Sequence, residues 1–438
     1  MLEIGCGDGG NLLPMAAALP RSTFVGVDLA QEPVRRGAAL AGELGLDNVQ
    51  LRAADVRDLP PDLGEFDYVI AHGVYSWIPP DARAALLATC GRLLAPQGVA
   101  YVSYNAYPGS YVRDMARDAL LFHVEHVSDP EQRMAQSRAL IDLIARSSDA
   151  AAHGRALSDY MRELLARPDW LLFHDELSEF NTPVYFHEFA AHAGAHELQF
   201  LAEAHLADSQ VAGLPEDVAA ALSALPDDVV LREQYLDFVV NRMFRQTLLC
   251  RVGIPVRRTI EVEVLRGLSV AAPLRTDASP ADLAGDERVR FTRPGGAYLE
   301  TADASFKDVL TRLGRAWPRA IPFGDLAGTT PQRIGEALLG AHAERMVALH
   351  VEPPAPAARA GERPAAFAPA RRQAEAGADL VTSLRHESVR MDDELARALL
   401  ARLDGTRDRA ALAAELRAQP DRLEDALARL AELSLLAA

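Results

Sequence analysis

Cysteine is scarce in this 438-residue chain. Cys6, Cys90 and Cys250 stand far apart and odd in number, so neither a disulfide framework nor the paired spacing of a zinc site is indicated. Lysine is scarcer still: Lys307 is the only one, a bias we read as genome composition. Positive charge is outweighed, with 45 basic against 62 acidic residues and a net charge of -17. That balance argues against general nucleic-acid binding, which needs a basic footprint. It is compatible with a basic polypeptide partner, although solubility accounts for it without one. No apolar run is long enough to span a bilayer, and glycines and acids interrupt the start where a signal peptide needs an apolar core. A cytoplasmic protein without membrane insertion is expected, long enough for two or three domains.

Against these absences stands one run, Leu2-Glu3-Ile4-Gly5-Cys6-Gly7-Asp8-Gly9-Gly10-Asn11. A few apolar residues lead into alternating glycines, and 12–19 is helix-compatible, so the run reads as strand, tight turn and helix start. Glycines there let backbone approach a ligand, and a helix start offers free N–H groups. The alternation of Gly5, Gly7 and Gly9 after the acid Glu3 differs from the dinucleotide pattern G-x-G-x-x-G. A second buried strand, 22–28, ends in an acid, and its carboxyl end faces the ligand crevice of such a sheet, so Asp28 is placed for a ribose diol. A helix at 32–44 precedes a third strand, 48–55, whose final carboxylate, Asp55, can accept from an adenine amine. The fourth strand, 66–72, ends at His72 and leaves through Gly73-Val74-Tyr75-Ser76-Trp77-Ile78-Pro79, an aromatic border for a cofactor's reactive end. A helix at 80–94 and a fifth strand at 98–105 follow.

The glycine turn, Asp28, Asp55 and the aromatic exit agree in order and spacing. Residues 1–105 thereby resemble the Rossmann-like class I S-adenosylmethionine-dependent methyltransferases, whose first motif is E/D-x-G-x-G-x-G. The resemblance implies S-adenosylmethionine cradled by Glu3, Gly5, Cys6, Gly7 and Asn11. It implies the ribose on Asp28 beside Leu29, the adenine near Asp55 and Val56, and His72 at the cofactor's edge. Methyltransferases of this type carry a helix before the first strand, and Met1 to Ile4 is short against the roughly five to six residues of a usual strand. The expectation is therefore that the sequence shown is truncated at its start.

Beyond Asn105, helical patterns at 112–126, 131–146 and 155–165 fill the stretch 108–180. A helix over 186–194 and a strand at 198–204 then supply what the fold normally places directly after its fifth strand. The expected class is α/β, a Rossmann-like methyltransferase sheet from 1–107 and 183–252 with a helical insertion, regulatory or lid-like, at 108–182. A helical stretch at 215–241 and a last antiparallel strand at 244–250 complete it. Tyr104-Asn105-Ala106-Tyr107-Pro108-Gly109 and Glu179-Phe180-Asn181-Thr182-Pro183-Val184-Tyr185-Phe186 resemble a narrower group. These are bacterial methyltransferases with a methyltransferase regulatory domain, among them the rickettsial outer-membrane-protein lysine methyltransferases. Further on, α+β winged-helix-like units are expected at 286–352 and 377–438, joined by a Pro/Ala/Arg linker at 353–376. Glu424, Asp425 and Glu432 on the last helix favour protein contact over DNA.

Methyl transfer asks an enzyme to align a nucleophile and exclude water, and a dedicated base is optional. Tyr75, Trp77, Tyr104 and Tyr107 fall at the ends of adjacent strands, where ring faces can hold a sulfonium or ammonium at about 0.5–2 kcal/mol each. Ordinary packing under the insertion is the competing reading. Asn105 binds a substrate amine or caps a turn, and His72 contacts the cofactor or is structural. His123, His126, His187 and His192 make no convincing metal set, and no metal is expected. Transfer to lysine side chains of a protein is what the narrower resemblance implies. A small-molecule or natural-product methyltransferase is the second reading, and a scaffold with a vestigial cofactor site the third, against which the intact Gly5, Gly7 and Asp28 weigh. A homodimer stays open.

Overall fold

The computed structural model describes residues 1–60, 63–147, 155–211 and 213–438. They divide into two compact units: Met1–Gly5, Gly26–Gln31 and Arg52–Val256 in one, Cys6–Val25, Glu32–Leu51 and Arg257–Ala438 in the other.

The chain begins β1 (Leu2–Ile4), α1 (Leu12–Ala18), β2 (Phe24–Asp28), α2 (Gln31–Glu43), β3 (Val49–Ala53), β4 (Phe66–Ala71), α3 (Pro80–Leu93) and β5 (Leu94–Asn105). Four helices follow, α4 (Tyr111–His123), α5 (Pro130–Arg146), α6 (Arg155–Leu165) and α7 (Asp169–Glu176), then α8 (Phe186–Gly194), β6 (Leu198–Glu203), α9 (Glu216–Ser223), α10 (Val229–Val240) and β7 (Phe244–Arg251). The seven strands form one sheet in the order β3-β2-β1-β4-β5-β7-β6. β4 runs parallel to β1 and β5, while β7 lies antiparallel between β5 and β6. β1 is short but buried along its whole length, as a central strand covered on both faces must be. The expected helical stretch at 215–241 is two helices, because Pro226 between α9 and α10 cannot continue the first.

The helices α4 to α7 bury a core of their own, with Ala116, Leu120, Ile141, Met161, Leu164 and Leu172 each nearly inaccessible. At the far edge of the sheet, Arg245 of β7 is fully buried and ion-paired to Glu203 at 2.6 Å, Glu233 at 3.0 Å and Asp237 at 2.8 Å. Its guanidinium also lies over the Phe186 ring at 4.0 Å. Burial pushes the Glu203 carboxyl above the usual range even with this cation beside it.

In the C-terminal part of the second unit, strands Val289–Thr292 and Tyr298–Thr301 form an antiparallel hairpin. Arg293 N–H donates to the Ala297 carbonyl at 2.7 Å, and Gly295 and Gly296 take positive φ. Helices Ala304–Ala316 and Pro331–Ala343 pack on it. That core starts at Val262, upstream of the expected boundary at 286, since Val262, Leu265 and Val270 belong to it. Lys307 is fully buried there, its Nζ donating to the carbonyls of Asp282 at 3.0 Å and Gly285 at 2.7 Å. The hairpin Leu380–Thr382 with Ser388–Arg390 and helices Glu394–Leu400, Arg409–Leu416 and Pro420–Glu432 form the last module. The stretch expected as a linker differs. It contains the helix Ala368–Glu375, and Ala366, Phe367, Ala370 and Ala374 enter the same core. Phe367 N–H donates to Leu435 and Ala366 N–H to Leu403, so small side chains and backbone bonds replace the large apolar residues it lacks. Among the described residues, no helix is long and apolar enough to cross a membrane.

Candidate functional site

The strand ends of the first unit gather most of the singled-out residues. Gly5 leaves β1 with φ +80, and its N–H donates to the Val27 carbonyl at 2.7 Å. A Cβ there would stand 2.4 Å from Val74 Cγ2, in the exit of β4, so only glycine lets these two exits close together. Glu3, in the middle of β1, is buried. Asp28 ends β2 and accepts the Ala30 N–H at 2.8 Å, while the Asp28 carbonyl receives Ala54 N–H at 2.9 Å. Leu29 beside it is 73% exposed, a large apolar side chain bared at the strand end. Asp55 caps the short turn Val56–Asp58 and holds Arg57 in an ion pair at 2.6 Å, and Arg57 reaches on to Asp81 at 2.7 Å. The Arg57 guanidinium keeps the Asp55 carboxyl below the usual carboxylate range. Cys6, Gly7 and Asn11 fall in the second unit. Cys6 is buried, Gly7 has φ +55 with open space where a Cβ would point, and Asn11 is exposed at the start of α1.

His72 follows β4 directly, with its Nδ1 3.0 Å from both Tyr101 Oη and Ser103 Oγ. Tyr101 gives its own proton to Gln246 Oε1 at 2.8 Å, and Ser103 Oγ accepts the Gly73 N–H at 2.8 Å, so His72 sits in a network of polar groups at the strand end. Partial desolvation lowers the imidazole's pKa, which favours its neutral form.

Two of the aromatic candidates are core residues. Tyr75 is 2% exposed, with its hydroxyl 2.8 Å from His192 Nδ1 and its ring 5.1 Å from Phe189. Tyr104 is equally buried and stacks on Phe189 at 4.0 Å. Both rings pack against Phe189 of α8 and are closed off from solvent. Asn105 is also buried: its N–H donates to Ser76 Oγ, its Nδ2 to Asn181 Oδ1 at 2.7 Å, and its Oδ1 receives Arg113 at 3.4 Å. It organises the loop after β5 rather than presenting an amide to solvent. Trp77 is half-buried between Arg113, 5.1 Å from its ring, and His174 at 5.3 Å. Tyr107 is half-buried, stacks on Tyr111 at 4.3 Å and donates to Asp114 Oδ2 at 2.7 Å. The reading of the sequence missed Asp114 and Arg113, which lie in a helical pattern without a motif. Asn181 stood within a quoted motif but had no assigned role. The arrangement offers a Cβ-free turn, two carboxylates at successive strand ends and an imidazole whose neutral form is favoured, a set suited to a nucleoside-bearing ligand.

Comparison with known proteins gives three domain matches. "Methyltransferase domain" matches residues 1–98, "Predicted methyltransferase regulatory domain" 168–251, and "PKMT, C-terminal winged helix domain" 362–429. The chain is similar to the uncharacterized protein RP789 of Rickettsia prowazekii, 36% identical over 272 residues, 62% of this chain and 49% of that one. It thus spans about half of that relative's length. To the uncharacterized protein RP028 of the same organism it is 34% identical over 191 residues, 43% of this chain and 76% of the relative. Among solved structures, that of PKMT2 from Rickettsia typhi in complex with AdoHcy superposes with a TM-score of 0.88 at 26% identity, covering 99% of this chain and 93% of that one.

Proposed function

The chain belongs to the S-adenosylmethionine-dependent class I methyltransferases that carry a methyltransferase regulatory domain, and on that premise we propose that it transfers methyl groups to lysine side chains of a protein. The observation that carries this reading is the likeness to PKMT2 along almost the whole chain, winged-helix module included. The residues present fit the cofactor. Gly5 lacks the Cβ that would close the turn, and Asp28 and Asp55 end neighbouring strands with acceptor oxygens for a ribose and an adenine amine. When bound, S-adenosylmethionine supplies a sulfonium-activated methyl carbon.

The chain's own part is to bind, orient and exclude water. Asp28 is held by the Ala30 N–H and Asp55 by Arg57, so both carboxylates are set in place before a ligand arrives. Trp77 and Tyr107, both half-buried beside the end of β5, flank the approach of the acceptor. The acceptor's ammonium must lose its proton before its nitrogen can attack. His72, with its imidazole pKa lowered, lies at this edge. The helices α4 to α7 follow directly on that strand end, where an insertion can limit water and shape the entrance.

The test is radiolabelled methyl transfer to lysine-rich polypeptide, with reductively dimethylated polypeptide as the control. Label on the first and little on the second is the expected result. Equal labelling, or label only on small metabolites, would overturn the lysine reading in favour of a small-molecule acceptor.

A further inference from the structure

Asp114 stands in the first turn of α4, half-buried beside the exit of β5. Its acceptor bonds come from neutral groups, Tyr107 Oη at 2.7 Å on Oδ2 and Asn181 Nδ2 at 3.4 Å on Oδ1. The nearby cations are committed elsewhere. Arg113 pairs with Asp175 at 3.2 Å and Glu176 at 3.3 Å, and Arg117 donates to the carbonyls of Asp175 and Ser178. Among the described residues, Asp114 has no ion pair. Burial pushes its carboxyl above the usual range although both arginines are close. A carboxylate taken from water without a counter-charge is the arrangement that gains most from an incoming cation.

Beside it rises an aromatic wall. Tyr107 stacks on Tyr111, Tyr185 lies 5.4 Å from Tyr107, and the hydroxyls of Tyr111 and Tyr185 are 3.1 Å apart. Tyr111 is 50% exposed, leaving apolar ring surface for an aliphatic stem. Deepening the reading of lysine transfer, on which it rests, we propose that Asp114 is the anchor of the acceptor lysine's ammonium, with the Tyr111 and Tyr107 rings lining the side chain's path. A divalent metal fits the place poorly, since it needs about six oxygens and Asn181 Oδ1 is already occupied by Asn105. A guanidinium fits less well than an ammonium, because its fork needs both carboxylate oxygens and Tyr107 caps one.

Calorimetry with three peptides alike except for one central lysine, norleucine or arginine tests the assignment on wild type, D114N and Y111A. Wild type should bind the lysine peptide at least tenfold tighter than the norleucine peptide. D114N, which keeps an acceptor oxygen for Tyr107, should lose that preference, and Y111A should weaken the lysine peptide several-fold. S-adenosylhomocysteine should bind all three proteins alike, certifying their fold. Absence of a lysine preference in wild type, its survival in D114N, or tighter binding of the arginine peptide overturns the anchor. Methyl transfer by wild type is scored separately. Transfer to lysine with a preference indifferent to Asp114 defeats the anchor and leaves the lysine reading standing, whereas an Asp114-dependent preference without any transfer does the reverse.

Discussion

Asp28 and Asp55 end neighbouring strands, yet their carboxylates are held in different ways. Asp28 accepts from the Ala30 backbone N–H, whereas Asp55 is clamped by Arg57. Removing the Asp55 carboxylate would break an ion pair as well as any ligand contact, so Asp28 is the position to test. Asp28→Ala should leave the fold intact and weaken S-adenosylmethionine by about 1.5–3 kcal/mol for each ribose hydrogen bond lost. Titration calorimetry showing unchanged affinity would remove Asp28 from the site. Tyr75 separates packing from chemistry. Burial pushes its hydroxyl up to about 12, so it stays a phenol across any workable pH range and cannot serve as a base. Tyr75→Phe should keep kcat and its pH profile unchanged. Tyr75→Ala should lower unfolding stability by about 3–5 kcal/mol through the cavity it leaves. A Tyr75→Phe enzyme that folds but no longer turns over would refute the packing role.

At the scale of elements, the far edge of the sheet depends on Arg245. It joins β7 to β6 and α10 through three carboxylates around a fully buried guanidinium. Removing the cation strands buried negative charge, so Arg245→Met should cost about 3–5 kcal/mol in denaturant unfolding. Arg35→Ala, which breaks an exposed pair with Glu32 on α2, should leave the unfolding midpoint where it was. An Arg245→Met protein as stable as wild type would show the network to be dispensable. The strand ends were legible in the sequence because glycine and acid punctuate them: Gly5, Asp28 and Asp55 each stop an apolar run. The interior of β5 was not. A strand covered on both faces loses its alternation, so nothing in the letters separated buried Tyr104 from half-buried Tyr101 on the same strand. The helix Ala368–Glu375 escaped notice for a related reason, since buried alanines beside arginine and proline read like a linker. Asp114 was invisible because its meaning lies in which cations are already taken, and only geometry reports that.

For the whole molecule, the proposed lysine acceptor sets the expected response to pH. A lysine amine titrates near 10.4 and attacks only when neutral. The rate at fixed subsaturating substrate should therefore climb with rising pH until the amine is largely deprotonated, as initial rates across buffers from neutral to alkaline would show. A flat profile would mean that proton loss is not part of the rate. Lys307 adds a last property. The chain's only lysine donates inward to two carbonyls and meets no solvent. The folded protein is therefore nearly silent to succinimidyl esters, which should modify little beyond an α-amino group, as intact mass after labelling can establish. Lys307 itself cannot serve as a methyl acceptor in the folded chain. In a mixture of this 438-residue chain, folded, and a candidate partner, a dye, crosslink or methyl mark on any lysine other than Lys307 reports on the partner.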